Sequence, residues 1–176
     1  MENLSKHLIK ALDSYPYDME ECWESLQYAL SADENALAFC LMGRIYSDQF
    51  RQYEKAKVYF QEALAVDMSL VEIYPYYIST LISNEDYEEA DRLISFAFDL
   101  KGMDKGSLWY FKALLAEVRR DYIEALEHIK NAVFEGYNDD YISTMKDMKS
   151  RVKKKIKLKS KKKKKAKVNS RLTIID

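Results

Sequence analysis

The sequence predicts an all-α protein assembled from repeated helical hairpins, and three observations carry that expectation. The segments "YEKAKVYFQEALAVD" from Tyr53, "YEEADRLISFAFDLK" from Tyr87 and "YIEALEHIKNAVFEG" from Tyr122 place alanines at the same offsets, and their tyrosines stand 34 and 35 residues apart. Self-similarity at that period marks a stack of one small unit. Only four glycines and two prolines occur in 176 residues, and the apolar residues recur three or four apart, as on a helix face. Apolar residues make up 48% of the chain, enough to fill a core.

Residues 1–35 form the first element, a degenerate helical hairpin made of "LSKHLIKAL" and "MEECWESLQYALSAD". Cys22, Leu26 and Ala29 follow the spacing of the later alanine helices. Asp18, three residues before Glu21, has the position of a helix N-cap with its box partner. Three full units follow, over 36–70, 71–105 and 106–139. Each opens with an apolar helix A ("ALAFCLMGRIYSDQF", "VEIYPYYISTLISNE", "GSLWYFKALLAEVRR") that ends in a polar turn. Helix B then begins at Tyr53, Tyr87 or Tyr122. Ala56, Ala90 and Ala125 follow three residues later, and Ala63, Ala97 and Ala132 seven beyond them. Offsets of three and seven return to one face, so small residues there let helix B approach its neighbours closely. Phe60, Ile94 and Ile129 fill the large apolar slot between the alanines.

Residues 140–159 are expected to form a C-terminal capping helix, because a stacked hairpin cannot bury its own outer face. Tyr141, Met145, Met148, Val152 and Ile156 make the required apolar stripe. The helix is expected to end around Lys157 to Lys159. Residues 160–176 form a basic tail, expected to be disordered when free.

This pattern resembles the tetratricopeptide repeat. Repeat one matches with Phe39, Met42-Gly43, Tyr46, Tyr53, Ala56, Phe60 and Ala63, with one extra residue in its turn. Repeat two matches with Tyr74, Tyr77, Leu81, Tyr87, Ala90, Ile94 and Ala97, and repeat three with Trp109, Ala113, Tyr122, Ala125, Ile129 and Ala132. There are departures. Ile78 replaces the small helix A residue of repeat two, which should splay that hairpin slightly. The glycine usual in the turn between the helices is missing from every copy. Met68, Gly102 and Tyr137 stand where a proline usually closes the unit.

The resemblance implies a right-handed α-solenoid whose A helices line a concave groove that binds a peptide or a partner helix. Its lining would include Leu37, Cys40, Arg44 and Ser47 from repeat one. Repeat two would supply Glu72, Tyr76, Ser79 and Ile82, and repeat three Ser107, Tyr110, Phe111, Leu114 and Glu117. Tyr76, Tyr110 and Phe111 are of the type favoured as interface anchors. The competing reading is that such tyrosines pack against the next repeat. Relatives that clamp the C-terminal carboxylate of heat-shock chaperones use asparagines and cations at set positions. Here those positions hold Cys40, Arg44, Tyr76, Ser107 and Phe111, with one cation and no asparagine, so that use is not expected.

Chemistry of other kinds finds little support. No phosphate loop, ligand cluster or nucleophile–base constellation is visible, so no enzyme activity, cofactor or metal is expected. Cys22 and Cys40 lie inside helical patterns and read as small buried hydrophobes in a reducing cytoplasm. His7 and His128 read as ordinary helical residues. No stretch approaches a membrane span, and the opening "MENLSKHLIK" lacks a secretion signal's pattern.

Charge is distributed unevenly. Residues 1–145 hold 13 Lys/Arg and 27 Asp/Glu, and residues 146–176 hold 15 Lys/Arg and 2 Asp, so an acidic body of −14 carries a tail of +13. Lys153, Lys154, Lys155, Lys161, Lys162, Lys163, Lys164 and Lys165 are the candidate contacts to an anionic ligand. That ligand could be nucleic acid, an anionic membrane, an acidic protein or the chain's own body. A solubilising tail is the plain alternative. No aromatic residue is interleaved, which argues against base stacking. The leading expectation is a cytoplasmic, non-catalytic adaptor with an unidentified protein or peptide partner. The alternative is an anionic-surface binder acting through the tail. The sequence leaves the oligomeric state open.

Overall fold

The computed structural model describes residues 5–136 and 138–172, with side chains as far as Lys161. Among the described residues it is all helical, without strands. Two compact units divide the chain, Met1–Met103 and Asp104–Asp176.

The first unit holds α1 (Lys6–Ser14), α2 (Met19–Ala32), α3 (Ala36–Asp48), α4 (Tyr53–Val66), α5 (Ile73–Ser83) and α6 (Tyr87–Ala97). Each helix packs on the next in sequence, α1–α2 and α3–α4 most extensively and α4–α5 as closely as α5–α6, with α3 also against α5. Side-chain caps set the first three starts. Ser5 accepts from the Leu8 amide, Asp18 from Glu21 and Asn35 from Leu37 and Ala38. Only half of the expected Asp18–Glu21 box forms, because the Glu21 carboxylate turns to Lys10 at 2.7 Å and Ser14 at 2.8 Å.

The second unit holds α7 (Lys105–Val118), α8 (Tyr122–Glu135) and α9 (Asp139–Leu172). Asp104 caps α7 and Asp121 caps α8. The expected stripe on α9 is the packing face: Met145, Met148 and Val152 are buried, and Tyr141 and Ile156 lie against the same cluster. The Tyr141 hydroxyl also donates to the Gly106 carbonyl at 2.7 Å, which ties the start of α9 to the start of α7. The expected end near Lys159 is corrected, since α9 continues to Leu172. No glycine or proline interrupts the stretch, and lysine and alanine are good helix formers.

The helix B alanines explain how the pairs pack. Ala56, Ala63, Ala90, Ala97, Ala125 and Ala132 are all fully buried, as are Phe60, Ile94 and Ile129 between them. In the first full repeat the residue opposite must be small to fit without a shift: a Cβ on Gly43 would meet Phe60 Cε1 at 2.9 Å. Ile78, at the corresponding place in repeat two, is itself fully buried.

The three turns between helices A and B share a left-handed residue at the same place. Arg51, Glu85 and Arg120, each two residues before the helix B tyrosine, have φ of 54°, 65° and 65°. The Asp86 amide donates to the Leu81 carbonyl and the Asp121 amide to the Ala116 carbonyl, both at 2.9 Å. Glu85 and Arg120 themselves donate to Ile82 and Glu117. These paired bonds form a Schellman C-cap, which usually takes glycine at the left-handed position. In repeat one the equivalent bond runs from Gln52 to Tyr46, one residue longer, because that turn has its extra residue. Of the three positions that replace the closing proline, Tyr137 lies outside the described residues.

Candidate functional site

In the first unit the helix A residues gather around Arg44. Its guanidinium carbon lies 4.7 Å from the Tyr15 ring centroid and 4.0 Å from that of Tyr76, so two aromatic faces hold one cation. Arg44 Nε is buried with no hydrogen-bond acceptor, and among the described residues no carboxylate pairs with the side chain. Tyr15 is fixed by a 3.1 Å hydrogen bond from its hydroxyl to Asp48 Oδ2. Burial, reinforced by the Asp48 charge, raises its pKa. One turn beyond Tyr76 on α5, Thr80 donates to the Tyr76 backbone carbonyl at 2.8 Å and shares a 2.9 Å hydroxyl–hydroxyl bond with Ser47 of α3, which ties α5 to α3 beside Arg44.

This arrangement separates the predicted lining residues of the first unit into two groups. Tyr76, Ser79 and Glu72 are exposed, and Leu37 and Arg44 are half-buried. Cys40, Ser47 and Ile82 are buried and offer a ligand almost no surface, which corrects their expected role. Cys40 lies so far inside that burial pushes its thiol up to about 12, leaving it unreactive as a nucleophile.

The second unit departs further from the expectation. Tyr110 and Leu114 pack against the α7–α8–α9 core, and Phe111 is buried with its ring 5.4 Å from that of Tyr110. Glu117, expected to face the groove, is only 4% exposed. Its carboxylate receives Arg151 Nε at 2.9 Å and Nη2 at 2.7 Å, with Lys155 Nζ also at 2.7 Å. Phe111 and Glu117 are therefore withdrawn from the groove by burial, Glu117 beneath the C-terminal helix. The bidentate hydrogen bonds from Arg151, with support from Lys155, hold the Glu117 carboxyl below its ordinary pKa. Ser107 is spent on the cap, bonded to Asp104.

Two contacts escaped sequence reasoning. Tyr15 lies in the turn after α1, outside every repeated position, so no periodicity could nominate it as a partner of Arg44. Arg151 and Lys155 stand four apart on α9 and could have been paired with a buried acid, but the surrounding lysines hide them. Of the predicted tail contacts, Lys153, Lys154 and Lys161 are exposed, Lys155 is engaged by Glu117, and the side chains of Lys162, Lys163, Lys164 and Lys165 lie outside the described residues.

Among the described residues no helix is long and apolar enough to cross a membrane. A scan against protein-family models finds no match, and a search of curated proteins finds no similar sequence.

Proposed function

We propose that the chain is a tetratricopeptide-type repeat protein whose hairpins stack as a right-handed solenoid. In this reading it is a non-catalytic cytoplasmic adaptor that holds a partner segment against its A helices. The observation that carries the reading is Arg44: a cation between Tyr15 and Tyr76 that pairs with no carboxylate among the described residues. A guanidinium fixed in this way suits an incoming carboxylate, from an acidic side chain or a chain terminus. The exposed face of Tyr76 supplies the apolar contact beside it. The buried alanines and the repeated turn support the repeat class itself.

The test is affinity capture from a lysate of the source organism, using wild type, Arg44→Met and Tyr76→Ala in parallel. Both variants should lose a protein that the wild type retains, while keeping its melting transition. Equal capture by all three would remove the Arg44 face from consideration. Tyr110 is a poor probe, since its ring packs in the core and its removal would report on folding.

A second reading, an anionic-surface binder working through α9, is favoured by the helical continuation to Leu172 and by the exposed Lys153, Lys154, Lys157, Lys159 and Lys161. Truncation after Lys159, which removes the following lysines, should then weaken binding to anionic ligands strongly, and wild-type binding should weaken steeply with salt. Salt-independent binding would refute it.

A further inference from the structure

The turn joining α7 to α8 and the facing stretch of α9 enclose an open cleft of roughly 440 Å³ within the second unit. An adjoining hollow shares three of its walls, Arg120, Tyr122 and Lys159. Lys159 lies over the Tyr122 ring at 5.4 Å, and among the described residues no carboxylate pairs with it. Lys155 also borders the hollow, but its ammonium is committed to Glu117. Asp121, the carboxylate in the cleft wall, caps α8 and keeps its charge, but the cations Arg120 and Lys159 outnumber it, so the cleft is net positive.

Apolar side chains lie on either side of these shared cations: Ile123, 65% exposed, lines the cleft, and Leu158, 60% exposed, lines the adjoining hollow. Neither side chain has a packing role that explains its presence between cations. A nucleic-acid backbone would use the cations and leave Ile123 and Leu158 idle. An anionic bilayer would use both: the cations meet headgroup phosphates and carboxylates while the aliphatic side chains enter the acyl boundary.

We propose that this end of the second unit, with Arg120 and Lys159 between Ile123 and Leu158, docks on anionic lipid membranes. The proposal deepens the second reading above and is independent of the Arg44 face. The cleft seats a headgroup, the two aliphatic side chains anchor it, and Lys161, exposed further along α9, strengthens the electrostatic attraction.

The test is flotation of the full-length chain with phosphatidylcholine vesicles and with vesicles containing 30 mol% phosphatidylserine. Binding is expected only to the second, at about fivefold per basic residue near the surface. Arg120→Ala/Lys159→Ala should thus weaken it roughly 25-fold. Ile123→Asp/Leu158→Asp should weaken it at least as much with an unchanged circular dichroism spectrum. If that pair destabilises the fold, a Leu158→Trp variant serves instead, and its emission should move to shorter wavelength on vesicle binding. Wild-type affinity for the Asp pair, or an unmoved Trp emission, would overturn the proposal even where truncation after Lys159 strongly weakens binding. That pattern would leave α9 an electrostatic tail and the second reading intact. Preference for a 20-base-pair DNA duplex over the anionic vesicles at equal phosphate concentration would also overturn it.

Discussion

Glu85→Gly, alone and with Arg120→Gly, should stabilise the protein, because both residues hold a backbone conformation that an L side chain resists. Each has φ of 65° at the left-handed position of a Schellman cap, and both side chains are exposed, so little packing is lost with them. The left-handed region costs a residue bearing a Cβ about 1–2 kcal/mol. Glycine returns about 0.4–1 kcal/mol of that through its greater freedom in the unfolded chain. The balance is about 0.5 kcal/mol per site. The two sites lie in different units and should add, giving about 1 kcal/mol and an increase of roughly 2–4 °C in Tm. Arg51 is a weaker choice, since its guanidinium donates to the Tyr53 hydroxyl at 3.2 Å and that bond would go. The assay is urea unfolding followed by circular dichroism at 222 nm, with the midpoint and slope fitted separately. Glu62→Gly is the control: Glu62 is exposed in the interior of α4, and glycine there should cost about 1 kcal/mol. If Glu85→Gly and Arg120→Gly destabilise as Glu62→Gly does, the left-handed turn is wrong, and the shared 2.9 Å bonds across it with it.

Glu117→Gln should cost about 1–2 kcal/mol, because it replaces the charged acceptor of three short bonds with a neutral amide. The Glu117 pKa is held below its ordinary 4.5, so the unfolded chain takes up the proton first on acidification. The stabilisation is therefore complete above about pH 4.5 and is lost as pH falls through the lower folded value, so the wild-type advantage over Glu117→Gln should shrink across that window in urea titrations. Cys22 and Cys40, both buried with raised thiol pKa, should react with a thiol reagent at pH 8 only as fast as the chain opens, and at once in urea. Gly43→Ala should cost about 1–3 kcal/mol by driving a methyl to 2.9 Å from Phe60. Phe60→Ile should relieve part of that cost, and strict additivity in the double-mutant cycle would exclude the contact.

The sequence carries the fold where the same physical demand recurs. Helix B must lie close to its neighbours in each unit, so alanine returns at fixed offsets, and all six alanines are buried. The turn demand recurs as well, but its usual signal does not. Arg51, Glu85 and Arg120 occupy the left-handed positions without announcing them, because the backbone bonds of each turn, Schellman bonds at Glu85 and Arg120, carry a strain that glycine would have avoided. The end of α9 was misplaced for a related reason. A lysine run reads as self-repelling chain when charge alone is weighed, whereas helix propensity and the absence of a breaker favour continuing the helix that Met145, Met148 and Val152 anchor.

The site was less legible because it depends on contacts that occur once. Helix A periodicity nominates Arg44 and Tyr76, yet the first ring over Arg44 comes from Tyr15 in a turn that belongs to no repeat. Glu117 sits at a repeated groove position, and its fate is decided by Arg151 and Lys155 on a helix that the repeat does not contain. The two cases have a common logic. A repeated position inherits its backbone setting from the unit, but its chemistry is set by whichever neighbour reaches it. Arg44 meets two neutral rings and keeps its charge available, while Glu117 meets two cations and is consumed. That difference is why the proposed reading rests on the Arg44 face, which keeps a charge to offer, and not on the Glu117 face, whose charge is already matched.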